Sequence, residues 1–281
     1  MASRQSPPVP EIKYSFVTQV VTGTQGFLQG GVTNVPSKAT CPSGWALVGG
    51  GYRWNEDYIC PFAHRFVVDN RPEDSPTSSP DTWLVTLECS RFQAYAVCAQ
   101  LQPIGGGQAV TPEVEVVEGT PQADSTNGWS SEATCPAGFS LSGGGHRHIR
   151  GDVSNYSDSR MIWTSQPKPD SSNTWKTLSI DFVQSAIALC VKLPPEVKAQ
   201  NLTGTVVVGN LASNQQRSIA YCKTGYSLTG AGHDTAANDG CAANLIFSKL
   251  TYPRTDNHSV EVVKDCAKFN AKAICLAVVD K

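Results

Sequence analysis

Histidine and acidic residues that could bind a metal lie close together in one stretch of the chain, at His146, His148 and Asp152. His146 and His148 alternate on a segment that we expect to be a strand, so both side chains would face one side of it. Two imidazoles and a carboxylate can bind a divalent transition metal. The stretch therefore predicts one possible function, that of a secreted metal-dependent enzyme.

Serine motifs elsewhere in the chain do not complete a catalytic set. Residues 138–142 (GFSLS) and 225–229 (GYSLT) lack the final glycine of the nucleophile elbow G-x-S-x-G. The acidic residues are scattered, and no spacing pairs them for glycoside hydrolysis. We therefore predict that the protein is not an enzyme and needs no cofactor.

Aromatic residues indicate another possible function, because flat ring faces suit sugar rings. A carbohydrate-binding module with several weak sites would gain avidity, and four tryptophans could serve it: Trp45, Trp83, Trp163 and Trp175. The chain also contains three N-x-S/T sequons, which would be glycosylated only in a eukaryotic secretory pathway. Their asparagines are Asn155, Asn201 and Asn257.

An internal repeat positions all of these residues. Residues 41–51 (CPSGWALVGGG) return as residues 135–145 (CPAGFSLSGGG) and, more weakly, as residues 222–232 (CKTGYSLTGAG). Each copy closes on Ala-x-Cys, and fifteen residues before the closing cysteine an alternating segment begins, at Trp83, Trp175 or Val260. Matches at fixed offsets in three places predict three homologous units.

The repeat divides the chain into an extended segment, residues 1–11, and three β repeats, residues 12–102, 110–193 and 200–281, here called copies one, two and three. Alternation and β-branched residues favour strands throughout, so the predicted class is all-β. The Pro/Gly connectors between copies favour three separate units in tandem. The alternative is one pseudo-threefold, prism-like body. In that body Tyr52, His146 and His233, which directly follow the glycine runs, would converge on the axis, but we expect them to be surface or strand-end residues.

The ten cysteines predict disulfides, since their number is even and no C-x-x-C pair suggests zinc. Copy two holds only Cys135 and Cys190, which must therefore pair if each copy closes its own bridge. Equivalence then predicts the other pairs: Cys41–Cys98, Cys222–Cys275, Cys60–Cys89 and Cys241–Cys266. Each main bridge contributes about 4 kcal/mol in the chain-entropy model. Such a framework indicates an extracellular or surface-exposed, oxidising location.

Composition excludes two classes of partner. The formal charge is −2 and the pI about 6.2, and no run of Lys or Arg could neutralise phosphates, so we predict no nucleic-acid partner. The longest apolar stretches, such as residues 273–279, are too short for a membrane span. Residues 1–10 (MASRQSPPVP) lack the apolar core of a secretory signal, so either a signal was removed or another export route applies.

The motif Cys-Pro-x-Gly-aromatic, followed by glycines, a tryptophan strand and Ala-x-Cys, resembles short repeats of uncharacterised secreted proteins. It also resembles the cysteine turns of the vitelline membrane outer layer family. That family is a β-prism of three sheets around a pseudo-threefold axis. The resemblance covers residues 41–51 and their two counterparts, and implies an all-β, threefold-repeated architecture but no functional residue.

These features predict a non-enzymatic structural or adhesive protein of an extracellular surface, filament, matrix or particle. Residues 7–11 (PPVPE) resemble the second connector, residues 193–197 (LPPEV). They could dock on copy three of a neighbouring chain and build a filament, because an unclosed head-to-tail contact propagates. The predicted partners are therefore other copies of the chain and, in the alternative function, glycans.

Overall fold

A computed structural model of the chain describes residues 12–28, 35–55, 67–73, 80–87, 90–123, 128–150, 161–180, 182–213, 216–237, 248–264 and 266–281. These residues form strands and no helix, which confirms the all-β class. The strands, in chain order, are β1 Tyr14–Leu28, β2 Ser37–Thr40, β3 Ala46–Asn55, β4 Val67–Pro72, β5 Thr82–Leu87, β6 Ser90–Pro103, β7 Glu113–Glu118, β8 Pro121–Ala123, β9 Gly128–Thr134, β10 Ser140–Arg150, β11 Met161–Pro167, β12 Thr174–Ile180, β13 Val183–Lys192, β14 Gln200–Val208, β15 Ala212–Ser213, β16 Arg217–Tyr221, β17 Ser227–Ala237, β18 Ser248–Pro253, β19 Ser259–Lys264 and β20 Lys268–Asp280.

The strands form three sheets, each of which joins two copies of the repeat. Sheet A has the order β1-β6-β3-β18-β19-β16, and sheet B has the order β2-β5-β4-β10-β13-β7. Sheet C has the order β14-β20-β17-β11-β12-β9-β8, with β15 paired to β20. All of these pairings are antiparallel. The expectation of three separate units is therefore wrong, because every copy divides its strands between two shared sheets.

Glycines bring the central strands β3, β10 and β17 together at an approximate threefold axis. A Cβ added to Gly49 would lie 2.0 Å from the carbonyl oxygen of Thr229 on β17. The same addition at Gly143 or Gly230 would lie 2.6 or 2.5 Å from a carbonyl oxygen of β3 or β10, respectively. Only glycine permits this closed cycle of backbone contacts. The glycine runs are thus the packing contact that unites the copies.

Tryptophan packs against the middle glycine of the run in two copies. The Trp83 ring lies against Gly50 and the Trp175 ring against Gly144, where an added Cβ would come within 2.2 and 2.3 Å of ring atoms. Both rings are completely buried. Copy three has Val260 at the tryptophan position and Ala231 in place of the middle glycine. The smaller Val260 side chain leaves room for a methyl group, so the two positions vary together in size.

The turn and the main disulfide of each copy have the predicted arrangement. The fourth residue of each repeat is a glycine in the left-handed region (φ +82°, +85° and +87°), which completes a tight turn. The structure confirms three bridges: Cys41–Cys98, Cys135–Cys190 and Cys222–Cys275. Cys266 is also disulfide-bonded. Cys60, Cys89 and Cys241 lie outside the described residues, so the pairs Cys60–Cys89 and Cys241–Cys266 stay predictions.

A buried serine joins two sheets in each copy. Ser37 on β2 accepts a hydrogen bond from a main-chain N–H of β6, at 2.7 Å. Ser131 on β9 and Ser218 on β16 accept the corresponding bonds from β13 and β20, at 2.9 and 2.7 Å. These bonds satisfy buried donors and link the two sheets to which each copy contributes.

The start of β1 lies against the start of β14 and the end of β20, so side-chain contacts join copy one to copy three. Lys13 forms an ion pair with Asp280, and the Gln200 side chain bonds both the N–H and the C=O of Tyr14, at 2.7 and 3.1 Å. The adjacent core draws on all three copies, with Leu101, Val191 and Leu276 among its buried members. In the described residues there is no helix able to cross a membrane.

Candidate functional site

The three residues that follow the glycine runs lie inside the body and not at its surface. Tyr52, His146 and His233 have exposed fractions of 1%, 1% and 2%, respectively. The expectation of surface or strand-end positions is therefore wrong. The packing of the copies explains the difference, because β3, β10 and β17, which carry these residues, approach one another closely at the approximate threefold axis.

The two buried histidines are held in the neutral form. Burial lowers the pKa of His146 to about 3, and the nearby charge of His148 lowers it further while the Val67 backbone opposes the shift. The pKa of His233 is also lowered well below its usual value, by burial first and then by the charges of Lys264 and His146. An interior site disfavours the charged imidazole because it has little water to solvate it.

His233 joins two sheets through one ring nitrogen. Its Nδ1 is 3.0 Å from the Oγ1 of Thr251, which lies on sheet A, whereas its Nε2 has no hydrogen-bond partner in the described structure. Neither ring nitrogen of His146 has a well-aligned partner there. These imidazoles are therefore core groups whose protonation would oppose folding.

A lysine completes this buried polar cluster. Lys264 has no exposed surface, and its Nζ donates to the carbonyl of Trp163 at 3.1 Å and to the Oγ1 of Thr235 at 2.5 Å. Burial lowers the pKa of Lys264 to about 7, while the charge of Asp234 partly opposes the shift. The cluster of His146, His233 and Lys264 is thus enclosed and makes stability depend on pH.

The predicted metal ligands occupy unlike environments. His146 is buried, whereas His148 is half-buried with its ring centroid 5.7 Å from that of Phe182. Asp152 lies outside the described residues. No group of three His, Cys, Asp or Glu side chains is arranged to hold a metal in the part of the chain that the structure describes.

The predicted sugar-binding tryptophans also differ in access. Trp83 and Trp175 are completely buried, and their indole N–H groups donate to the side chains of Asn70 and Ser165, at 2.8 and 3.2 Å. These two rings therefore cannot stack on a sugar in this structure, which corrects that part of the prediction. Trp45 and Trp163 are partly buried, and a glycan role for them stays a prediction.

The sequon asparagines lie in three different settings. Asn201 is exposed on β14, and Asn155 lies outside the described residues. The Oδ1 of Asn257 accepts a hydrogen bond from the N–H of Val20 on β1, at 3.0 Å. Asn257 therefore already has a structural role, which a glycan on its amide would disturb.

A groove of about 600 Å3 lies on sheet C between the edge strand β14 and the turn that joins β11 to β12. Its apolar lining includes Leu141, Val206, Val208 and Ile274, and its polar lining includes Lys272, Asp170, Ser171 and Ser172. This volume lies in the range of ligand clefts. Sequence reasoning missed the groove, although one signal was available: β14 contains no charged residue.

Comparison with known proteins does not assign a family. No protein-family model matches the chain, and no curated protein matches it. The resemblance to the vitelline membrane outer layer family therefore stays a prediction. Three structural disulfides do indicate an extracellular or oxidising environment.

Proposed function

We propose that the chain is a structural or adhesive protein of an extracellular surface, filament, matrix or particle, and that it acts by binding and not by catalysis. The observation that carries this proposal is the groove on sheet C, which lies open on the outside of a body that has a main disulfide in each copy. Buried ionisable groups such as His146 and Lys264 serve the interior of the body. The outer surface is therefore where partners would meet the protein.

Adhesion between coated beads tests this proposal. Beads that carry the full chain would be mixed with one another and, separately, with beads that carry a reduced and carboxymethylated polypeptide, which is extended. We expect the beads to aggregate in at least one of the two mixtures. Beads that have been blocked with a charged synthetic polymer are expected not to aggregate. Beads that stay dispersed in both mixtures would contradict an adhesive or self-assembling role.

Self-assembly through the N-terminal segment is a separate part of the proposal. It is supported by the likeness of residues 7–11 to the second connector. In the described residues, Lys13 and Tyr14 contact copy three of the same chain. Light scattering of a variant that lacks residues 1–11 tests the idea: a smaller particle than the full chain is expected, and an unchanged particle size would exclude the segment.

A further inference from the structure

The outer edge of β14 faces the groove with main-chain groups. The Thr229 hydroxyl of β17 donates to the carbonyl of Ile274 at 3.1 Å, so this carbonyl points away from β14. Val206 is the residue of β14 opposite Ile274. In an antiparallel pair, residues that do not bond each other direct both main-chain groups outward. The N–H and C=O of Val206 therefore point into the groove, and those of Gly204 and Val208 follow with the period of two.

Sheet A shows which chemical group satisfies such an edge. Val20 on β1 lies opposite Val97 on β6, as Val206 lies opposite Ile274, and both pairs stand at the same distance from the closing cysteine of their copy. There the N–H of Val20 donates to the side-chain amide oxygen of Asn257, at 3.0 Å. A side-chain amide has the same hydrogen-bonding groups as a peptide bond. The preferred partner of this edge is thus an amide carbonyl.

The edge of β14 also lacks the features that prevent strand addition. Natural edge strands are protected by charge, proline, shortness or a cover. The corresponding edge of sheet B, β7, carries Glu113, Glu115 and Glu118, and β1 has the Asn257 cover. The nine residues of β14 (QNLTGTVVV) contain no charge and no proline, and no described strand pairs with its outer side.

We propose that the groove on sheet C binds an extended peptide segment of a partner protein, which adds to β14 as a further antiparallel or parallel strand. Alternate aliphatic side chains of the peptide would pack on Val206, Val208 and Ile274, which line the groove. The exposed fractions of the two valines, 39% and 54%, leave apolar surface to cover. Main-chain bonds supply affinity in this mode, and the side-chain contacts supply specificity.

Charge sets one further requirement on the peptide. Lys272 lines the groove and forms no ion pair with any described residue, whereas Lys168 is paired with Glu132 at 2.7 Å. An acidic residue in the peptide would pair with Lys272. This inference rests on the proposed binding function and names the class of partner, an aliphatic peptide with an acidic residue.

Two substitutions at one position test the main-chain bonds. Val206→Pro removes the N–H that points into the groove but leaves the bonds to β20, since proline is tolerated where an edge N–H faces outward. Val206→Ala shortens the side chain and keeps the N–H. Linear heptapeptides selected from a phage-displayed random library on the full chain are expected to bind Val206→Pro at least tenfold more weakly and Val206→Ala within threefold.

A charge reversal provides a readout that does not depend on the folding of the proline variant. Lys272→Glu is expected to change the selected peptides from acidic to basic. Bound peptide should also slow amide exchange at Val206 and Val208 at least tenfold, with no change at Thr205. Peptides that bind all variants equally, or a library that yields no binder, would overturn the inference. If beads coated with Val206→Pro aggregate as strongly as beads coated with the natural chain, the peptide-binding inference is overturned but the proposed adhesive function is not.

Discussion

Sheets A and C use the same strand arrangement but finish their edges differently. In sheet A the turn between β18 and β19 reaches β1 through Asn257, and the rings of Tyr95 and Tyr252 pack nearby with centroids 5.0 Å apart. In sheet C the positions of these tyrosines hold Lys272 and Gln166. A covered edge and an open groove therefore result from a few side chains on a common frame.

Turn length adds to this difference. The turn between β18 and β19 spans residues 254–258, whereas that between β11 and β12 spans residues 168–173 and is one residue longer. The longer turn carries Ser171 and Ser172, which are shorter than Asn257 and line the groove. Asn173 bonds the N–H of Leu141 and the carbonyl of Phe139 instead of β14. The comparison teaches that a repeat can keep its fold while one turn decides whether an edge is free to bind.

The largest effect is expected from variants that give copy two the side chains of copy three at the glycine–tryptophan contact. Gly144→Ala would place a Cβ 2.3 Å from the Trp175 ring and 2.5 Å from the carbonyl oxygen of Ile187. We expect it to lower the free energy of unfolding by about 3 kcal/mol, because the strand must shift. Denaturant titration of Gly144→Ala, Trp175→Val and the double variant measures the coupling.

The double variant reproduces the Val260 and Ala231 combination of copy three. We expect it to be more stable, by over about 1 kcal/mol, than the sum of the single effects predicts. Strictly additive losses would show that the matched sizes of these residues in copy three have another cause.

The next largest effect is on the pH dependence of stability, and it arises from a difference between the end of β19 in sheet A and the end of β12 in sheet C. Lys264 ends β19, whereas Ser179 holds the matching position on β12 and donates to the carbonyl of Phe182 at 2.8 Å. The pKa of Lys264 is about 7 in the folded protein, whereas the usual value of 10.5 applies to the unfolded chain. The unfolded chain therefore binds more protons between these pH values, and stability should rise as pH increases from 7 to 10.5.

Lys264→Met removes this pH-dependent term while the Thr235 hydroxyl keeps its own bond to the Trp163 carbonyl, at 2.6 Å. We expect a gain of roughly 2 kcal/mol at pH 7 and a flatter stability profile above it, measured by denaturant titration. Below pH 6.5 both proteins should lose stability, because His146 and His233 are neutral in the fold and must be protonated in the unfolded chain. An unchanged slope above pH 7 would show that Lys264 is charged in the fold.

A smaller effect is expected from a variant that uncovers the β1 edge of sheet A. Asn257→Gly removes the bond to Val20 without strain, because Asn257 has a φ of +59° and glycine adopts that conformation freely. We expect a loss of about 1 kcal/mol and faster amide exchange at Val20. The matched change Ser172→Gly in sheet C should leave both β1 and β14 exchange unchanged. Equal effects of the two changes would contradict the contrast between the edges.

The smallest effect on stability is expected from a variant in which β14 carries a negative charge, as β7 does. Val208 is 54% exposed, so Val208→Glu should change the free energy of unfolding by less than about 0.5 kcal/mol. The same change should reduce peptide binding at the groove, because a buried charge at the new contact costs desolvation. Thermal melting and peptide titration of the same samples separate the two effects, and binding equal to that of the natural chain would argue against the edge as the contact.

Several features could be predicted because they depend on residues at fixed offsets. The repeat places an opening and a closing cysteine at matching positions in each copy, so the lone pair Cys135 and Cys190 in copy two identified the main bridge of the other two copies. The glycine of each turn, such as Gly138 with φ +85°, follows from the Cys-Pro-x-Gly motif, because only that position needs a left-handed backbone. Alternation likewise predicted strands.

The candidate site could not be predicted in the same way. Whether His146 faces water or the axis depends on what its strand packs against, and alternation alone does not distinguish the two. The groove depends on the distance between β14 and a turn some thirty residues earlier in the chain. Both are set by contacts between distant segments.

The sequence by itself thus determined the class of the fold, the repeat and the main disulfide of each copy, because local turns, strand alternation and cysteine spacing act within one copy. Only the tertiary structure decided that the copies exchange strands, since this depends on the close approach of Gly49, Gly143 and Gly230 at the axis. It also decided which edges are covered. Asn257 reaches β1 while the turn of sheet C stops short of β14, and that difference lies in space, not in any single segment of the chain.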